Sequence, residues 1–475
     1  MSAQTTKPVG VSTDSLAENP ARRRLLLVGL SLGYFMVLLD TSVVNVALPA
    51  IRADFGGGLS GLQWVVNGYT LTFAAFLLTM GAMSDRFGGR RVFMVGTWAF
   101  LLASLLTVFS PDLGALIAMR VLLGVAGAAL LPSSMAVIAV VFTDPAQRAR
   151  ALGSWAAITG AALAAGPVLG GVLTGALGWR SIFAINVPVA LASVLITRAF
   201  APETNRNPSR GVDLPGQISA VLALAGLTFG VVESESLGWG SVPVLSALAL
   251  AVAAGAVFLV VERRPAGPRG PMLPLALFRN ATFSVSVLNG LLVNFGLSGL
   301  LFVMSLYFQQ ARGLSALLAG CAFLPLTLPT AFNPVYTGRL VARSGPRKPS
   351  ILGFTLLTIG AAVLAASVSG TGAVPTVLIG LGLLIFGFGV SFAIPSLVTA
   401  TVSATPKAQI GIGSGALNSA RQTGAIVGVA VLGSVLHAAS SPAGGSRTAL
   451  IIAAAALLLG LLLSAGFIGR QRQSA

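Results

Sequence analysis

Charged residues are scarce in this sequence: they make up 9% of its 475 positions, against about 25% in an ordinary soluble domain. Hydrophobic residues make up 55%, and the mean hydropathy is +0.91. This is the composition of an integral membrane protein rather than a soluble domain. Cysteine is equally scarce, and with Cys321 alone the chain can form no internal disulfide. A single histidine cannot build a metal or catalytic cluster.

Long apolar stretches fill most of the chain. Fourteen of them are about 18–30 residues long, each enough to cross the roughly 30 Å hydrocarbon core of a bilayer. The predicted spans are 25–48, 62–81, 92–110, 113–142, 151–176, 181–200, 214–233, 242–261, 282–308, 314–337, 350–370, 373–402, 409–437 and 448–468. The first is too long for a signal-peptide core of roughly 7–15 residues, so we expect it to remain as a membrane span.

Basic residues outnumber acidic ones, and the formal net charge is +17. Such a charge could indicate nucleic-acid binding, but its distribution argues against that interpretation. Of the 29 lysines and arginines, 23 fall in segments on one side of the predicted membrane. The segments on the other side carry only Arg52, Arg180, Arg312 and Arg447. This asymmetry follows the positive-inside rule and predicts that both termini are cytoplasmic.

A basic loop pattern of eleven residues occurs twice, each time between two apolar spans. Its glycine, acidic and basic positions are Gly81, Asp85, Arg86, Gly88, Arg90 and Arg91 in the first copy, and Gly338, Arg343, Gly345, Arg347 and Lys348 in the second. Ala342 takes the place of Asp85. The pairs Pro132-Ser133 and Pro395-Ser396 extend the repeat into the fourth and twelfth spans.

The duplication predicts an all-α membrane protein built from two six-helix bundles in parallel repeat. The bundles are expected at residues 25–200 and 282–468. Residues 201–281 are expected to form a linker with two inserted central helices. The predicted cytoplasmic tails are 1–24 and 469–475.

These motifs resemble a known family. The loop Gly-x3-Asp-Arg-x-Gly-x-Arg-Arg resembles the signature of the major facilitator superfamily. The stretches Leu39–Pro49 and Gly178–Pro188 are similar to signatures of its fourteen-span drug:proton antiporter branch. The resemblance implies an exporter of small amphipathic molecules (drugs, antibiotics or secondary metabolites) that works by alternating access and is driven by inward proton flow.

Asp40 is the strongest candidate for proton coupling, because it alone of the twelve acidic residues lies well inside a predicted span. A charged carboxylate is disfavoured at membrane depth, so such a group is suited to bind and release protons near neutrality. Arg120 is predicted at the same depth, since Asp40 lies nine residues before Pro49 and Arg120 nine after Pro111. The alternatives are an aspartate that caps or kinks its helix and an arginine bound to nearby carbonyls. In the family, Arg120 with Gly124 matches the motif assigned to proton transfer.

Small residues and a proline cluster in the fifth span: Gly160, Gly166, Pro167, Gly170 and Gly171. Glycines let helix backbones approach closely, and a proline kinks its helix, so this span could slide against the opposite bundle. The spacing resembles the antiporter signature of the family. General helix packing is the alternative explanation.

The repeated loops are interpreted as gates, a role that the resemblance assigns to Asp85 in the first copy. The alternative is that their basic residues only suit a cytoplasmic surface. Five polar residues at mid-span depth are candidates for lining a substrate cavity, or for hydrogen bonding between helices: Asn289, Asn294, Asn418, Arg421 and Gln422. Arg421 makes the cavity less acidic than a pump dedicated to cationic drugs requires.

The predicted partners are a small-molecule substrate, protons and the lipid bilayer, with no nucleic acid, no cofactor and no metal. The sequence contains no Walker motif, so the energy source is expected to be a proton gradient rather than ATP. We expect a monomer in a bacterial cytoplasmic membrane and no enzymatic activity. The alternative function is uptake of a small solute by a symporter or facilitator of the same fold. The identity of the substrate is not readable from the sequence.

Overall fold

Helices occupy all fourteen predicted spans. The computed structural model describes residues 19–204, 206, 213–263, 273–370, 372–406, 409–439 and 441–468. The helices are α1 Pro20–Phe55, α2 Leu59–Phe87, α3 Gly89–Val108, α4 Leu113–Val141, α5 Pro145–Leu177, α6 Ser181–Phe200, α7 Leu214–Leu237, α8 Val242–Val261, α9 Ala281–Ala311, α10 Ala316–Ser344, α11 Arg347–Ser367, α12 Ala373–Ser403, α13 Ile410–His437 and α14 Pro442–Phe467. The predicted tails up to residue 18 and from residue 469, and parts of both linkers, lie outside the described residues.

Polar caps and prolines set where several helices begin. The side chain of Asn19 accepts hydrogen bonds from the backbone amides of Ala21 and Arg22, and Pro20 occupies the first turn of α1. Asp112 caps α4 in the same way, and Asp144 caps α5. Because of the Asn19 cap, helix α1 begins five residues before the predicted span. It also continues past Pro49 to Phe55. Both extensions are polar helix ends, which can project beyond the bilayer.

Three spans are interrupted helices, which the hydropathy pattern does not predict. Helix α6 breaks at Ile185, between Ser181–Ala184 and Asn186–Phe200. Helix α9 ends in a π-helical turn at Tyr307–Ala311. Helix α10 bends by 43° between Ala316–Ala322 and Leu324–Ser344. A proline in the first turn of the second segment explains this bend. Proline has no backbone N–H to bond to the preceding turn, and its ring clashes with the carbonyl group there.

The helix contacts repeat with a period of eight helices. In the first bundle α1 packs on α5 and α6, and α4 packs on α2 and α3; in the second, α9 packs on α13 and α14, and α12 packs on α10 and α11. Each bundle has its own apolar core, one centred on α1–α6 and the other on α9–α14. The duplicated arrangement of two six-helix bundles agrees with the prediction from the repeated loops.

The two bundles meet along two equivalent helix pairs, α2 with α13 and α5 with α10. The inserted helix α7 packs beside the first of these pairs, whereas α8 packs mainly on α7. The side chain of Gln217 in α7 donates to the carbonyl oxygen of Ala75 at 3.0 Å and contacts Thr79. The inserted helices therefore cover the outside of one bundle interface and leave the other free.

Candidate functional site

Asp40 and Arg120 form an ion pair in the interior of the first bundle. Arg120 Nη1 donates to Asp40 Oδ2, and the two side chains are 0% and 1% exposed. Arg120 Nε also donates to the carbonyl oxygen of Val65 at 2.8 Å, and the guanidinium lies 4.4 Å from the ring centre of Tyr69. A charge buried this deeply is tolerated only when it is paired, so each residue depends on the other. The structure therefore brings together the two charges predicted at equal depth.

The second carboxylate oxygen of Asp40 is in a different situation. Among the described residues, Oδ1 has no partner with ordinary hydrogen-bond geometry. The side chain of Asn186 in α6 lies beside the carboxyl group, and its own Oδ1 also lacks a donor. Asp40 Oδ1 can therefore take up a proton without losing an ordinary hydrogen bond. Asn186 was not predicted as a site residue, although a polar residue within an apolar span was a usable signal.

Helix α5 is fitted closely to α1, just beyond Asp40. A Cβ atom added to Gly166 would overlap the hydroxyl of Ser42. A Cβ atom at Gly170 would lie 2.7 Å from the carbonyl oxygen of Val43. Both glycines are thus required for the close approach of the two helices. Ser42 and Val43 lie two and three residues after Asp40. Helix α5 therefore packs on the part of α1 that carries the carboxylate.

The same helix contacts the opposite bundle through its other small residues. A Cβ atom at Gly171 would lie 2.6 Å from the carbonyl oxygen of Ala316, and a Cβ atom at Gly320 would overlap the carbonyl oxygen of Pro167. The half-buried Cys321 adjoins this contact in α10. Backbone therefore meets backbone between the bundles, a surface without long side chains that interlock. Gly160 has no atom within 4 Å of an added Cβ, so it does not take part in this packing.

The two repeated loops make equivalent contacts within their own bundles. Gly88 and Gly345 have φ values of +97° and +71°, a conformation that favours glycine. Arg90 donates to the carbonyl oxygen of Arg198 at the end of α6, and Arg347 donates to that of Ala465 at the end of α14. One arginine of each copy thus anchors the last helix of its bundle. These contacts hold the bundles together internally and do not cross between them.

The remaining loop residues are placed at the surface or near it. Asp85 is half-buried at the end of α2, and Arg86 lies 5.3 Å from the ring centre of Phe87. Gly81 packs loosely near Pro132. The exposed members of the two copies are Arg86, Arg91, Gly338, Arg343 and Lys348. The gating role of these residues remains a prediction.

The five polar residues of the second bundle do not form one group. Asn289 is fully buried against α14, where its amide donates to the carbonyl oxygen of Gly460 at 3.2 Å and to Ser464 Oγ at 2.8 Å. These are bonds between helices, the alternative that the sequence left open. Gln422 is half-buried on α13.

Arg421 is the centre of the remaining group. Its Nε donates to Asn294 Oδ1 of α9 at 3.3 Å, and its Nη1 donates to Asn418 Oδ1 at 3.4 Å. An added Cβ at Gly290 would lie 3.1 Å from Arg421 Cγ, so this glycine makes room for the arginine stem. The structure thus gathers Asn294, Asn418 and Arg421 into one cluster.

An aromatic pair of the first bundle is linked to this cluster through Tyr34. Tyr34 of α1 and Arg421 are within electrostatic range of each other. Tyr34 stacks on Trp155 of α5, with ring centres 5.1 Å apart and ring planes at 9°. Neither aromatic residue is predicted as a site residue from the sequence. Nothing in the local pattern distinguishes a stacked pair at a bundle interface from ordinary core residues.

Hydrogen bonds join the bundles at the ends of the helices away from the basic loops. Gln63 Nε2 donates to the carbonyl oxygens of Val429 and Ala430 at 3.3 and 3.2 Å. Ser305 Oγ donates to the carbonyl oxygen of Asn45 at 2.5 Å. Gln309 Nε2 donates to the carbonyl oxygen of Val46 at 3.0 Å. All of these acceptors are backbone carbonyls, so the contacts can separate without leaving an unpaired charge.

Comparison with known proteins identifies the family. The Major Facilitator Superfamily model matches residues 30–429. The chain is 34% identical to the multidrug resistance protein Stp of Mycobacterium tuberculosis over 87% of its own length and 76% of that protein. It is 35% identical to the methylenomycin A resistance protein of Streptomyces coelicolor over 94% of its own length and 93% of that protein.

A solved structure shares the fold at lower identity. The peptide transporter POT, crystallised with sulfate, superposes with a TM-score of 0.68 and 15% identity, over 95% of this chain and 97% of that one. This chain belongs to the major facilitator superfamily. It is therefore a multi-pass membrane transporter of small molecules and not an enzyme.

Proposed function

We propose that this protein exports small amphipathic molecules from the bacterial cytoplasm in exchange for protons. Related proteins named for resistance to drugs and to methylenomycin A support the export of such compounds. The observation that carries proton coupling is the buried pair of Asp40 and Arg120, with one carboxylate oxygen left without an ordinary partner. No cofactor is needed, because the proton gradient supplies the energy.

The coupling cycle begins when a proton binds the Asp40 carboxylate from the outer side. The resulting carboxylic acid is neutral and no longer attracts Arg120 as an ion, while the arginine keeps its bond to the carbonyl oxygen of Val65. Helix α1 is then free to shift against α5, whose Gly166 and Gly170 fit the segment just beyond Asp40. When the site opens to the cytoplasm, the proton leaves for water and the ion pair forms again.

The other face of α5 links this event to the rest of the molecule. Pro167 and Gly171 meet α10 of the second bundle through backbone atoms, so a displacement of α5 moves the interface between the bundles. Rocking of the bundles then exposes the central site to alternate sides of the membrane. A proton crossing 100 mV releases about 2.3 kcal/mol, which sustains roughly a 40–50-fold gradient of a neutral compound.

The substrates are found first by a susceptibility panel. A pump-deficient bacterial host expressing the protein is tested with methylenomycin A, puromycin, tetracenomycin C and ethidium, the first three taken from the names of relatives. We expect reduced susceptibility to at least one compound, and loss of that protection in Asp40→Asn. The identified compound then serves as the transport probe.

Transport by purified protein in liposomes tests the coupling. We expect the wild type to accumulate the probe in acid-loaded liposomes, and an uncoupler to abolish accumulation. Asp40→Asn should not respond to the gradient but should still exchange labelled for unlabelled probe, because its binding site is intact. Asp112→Asn is the matched control, since Asp112 is an exposed helix cap and asparagine caps equally well. Gradient-driven accumulation by Asp40→Asn, or accumulation by right-side-out cell vesicles, would contradict the proposal.

A further inference from the structure

Arg421 is a half-buried cation in a membrane-spanning helix, and the coupling mechanism has no use for it. Its guanidinium carries five N–H donors, of which the contacts to Asn294 and Asn418 occupy two. Among the described residues it forms no ion pair, in contrast to Arg120. An arginine at membrane depth is costly unless something of opposite charge or high polarity meets it. The position of Arg421 between the bundles is where a transporter of this fold binds its cargo.

The titratable group that interacts with Arg421 is a phenol rather than a carboxylate. Tyr34 is within electrostatic range of the guanidinium, and no carboxylate in the described part of the chain shares that range. Tyr34 and Trp155, 7% and 6% exposed, stack almost in parallel. Because Asp40 is bound to Arg120, it does not neutralise Arg421. The balance of embedded charge is therefore positive at this point.

Trp155 adds a second unsatisfied donor. Its Nε1 is buried and has no hydrogen-bond partner among the described residues. An indole N–H can only donate, so the group that satisfies it must be an acceptor. Arg421 likewise can only donate. The cluster thus combines two groups with hydrogen-bond donors that lack acceptors, the cationic guanidinium of Arg421 and the indole N–H of Trp155, with a flat aromatic surface.

We propose that Arg421, Tyr34 and Trp155 form a binding site for aromatic carboxylates. The carboxylate would pair with the Arg421 guanidinium, and the ring would lie against the Tyr34–Trp155 stack. Asn294 and Asn418 act as positioning residues, because they hold the guanidinium from two helices. A cationic aromatic compound is disfavoured at this site, since it would face the like charge of Arg421. The inference names the substrate class of the export function proposed above and rests on it.

Binding to the full-length protein in detergent, with no gradient present, tests the site. The probes are 1-naphthoate, 1-naphthamide and 1-naphthylmethylammonium, which share one ring system and differ in charge. By isothermal titration, we expect the wild type to bind naphthoate at least about tenfold more tightly than either of the others, because a charge-assisted hydrogen bond exceeds a neutral one. Equal affinity for naphthoate and naphthamide, or no binding of naphthoate, would overturn the proposal.

Variants assign the effect to Arg421. We expect Arg421→Gln to lose about tenfold or more in naphthoate affinity with little change for naphthamide. Arg421→Lys should retain part of the preference, which separates loss of charge from misfolding. Trp155→Phe keeps a stacking ring and removes the N–H, so we expect a loss of a few-fold for naphthoate. Arg447→Gln, at an exposed arginine of α14, is the matched control and should bind as the wild type does. Unchanged naphthoate affinity in Arg421→Gln would contradict the assignment.

The outcome is separable from that of the proton-coupling test. Asp40→Asn should still bind naphthoate in an Arg421-dependent manner, since the two sites use different residues. If transport proves independent of protons while this binding persists, the coupling mechanism fails and the anion site stands. If coupling is confirmed but naphthoate has no advantage, the anion site fails alone.

Discussion

At the scale of residues, a single ion pair bears on both folding and the proposed proton coupling. Asp40 and Arg120 are both buried, and neither has another charged partner within the described residues. A buried pair contributes little net stability, but removal of one partner leaves an uncompensated charge. The same burial that would let the pair respond to a proton, as proposed, therefore makes it sensitive to mutation.

Substitution of the arginine should expose this dependence. We expect Arg120→Gln to reduce the free energy of unfolding by about 3–5 kcal/mol, because Asp40 loses its buried counter-charge. The double variant with Asp40→Asn should recover much of that loss, since two amides leave no charge unpaired. Thermal unfolding of the purified protein, followed by fluorescence, measures both effects.

An exposed ion pair provides the comparison. Arg180 and Asp54 are 40% and 43% exposed at the C-terminal end of α1, and solvent screens their interaction. Arg180→Gln should change the unfolding temperature much less than Arg120→Gln does. Equal destabilisation by the two variants, or no recovery in the double variant, would show that the buried pair is not the cause.

The depth of a residue in the membrane could be predicted from the sequence, but the direction of its side chain around the helix could not. Counting from Pro49 and Pro111 placed Asp40 and Arg120 at one level, although α1 continues past Pro49 to Phe55. Such counting cannot tell which side of a helix faces the centre. For that reason Asn289 was grouped with Arg421, whereas its side chain binds Ser464 on α14. Asn186 and Tyr34 were missed because their importance arises only from contacts between distant segments.

At the scale of elements, α5 is the helix that would join the proposed coupling to movement of the bundles. One set of its glycines receives α1, and the other meets α10 of the opposite bundle. The hydropathy pattern predicted the position of this helix and its small residues. It did not predict that these residues divide between two neighbours, because the sequence spacing alone does not orient the helix. The 43° bend of α10 was also unpredicted, since a broken span has the same apolar length as a straight one.

A methyl group at this interface should impede transport. In Gly171→Ala the new Cβ would lie 2.6 Å from the carbonyl oxygen of Ala316, so the contact between the bundles must open. We expect a marked loss of transport rate in liposomes with a correctly folded protein. Gly175→Ala in the same helix is the control, because a Cβ there meets no atom within 4 Å. Equal transport by both variants would show that the close contact does not matter.

At the scale of the whole molecule, the basic residues predict how the fold is oriented in the membrane. The repeated loops after α2 and α10 lie on the side that the excess of lysine and arginine assigns to the cytoplasm. The duplicated loops also predicted the two bundles, and the helix contacts repeat accordingly. The tilt and separation of the bundles could not be predicted, because they depend on packing between segments far apart in the sequence.

Reporter fusions should confirm the orientation. We expect green fluorescent protein to fluoresce when fused to either terminus, because both termini are proposed to be cytoplasmic. Alkaline phosphatase inserted between α1 and α2, near Gly57, should be active outside the membrane. An active phosphatase fusion at the C-terminus would contradict the proposed topology.

The lone thiol of the chain offers an experimental advantage. Cys321 adjoins the surface where α10 meets α5, and it is half-buried there. A maleimide reagent can therefore label one defined position beside the contact of α5 with α10, without prior removal of other cysteines. The rate of that labelling would report how often α5 and α10 separate. The native protein can therefore be used, without engineered cysteines, to follow the proposed exchange between its inward-open and outward-open states.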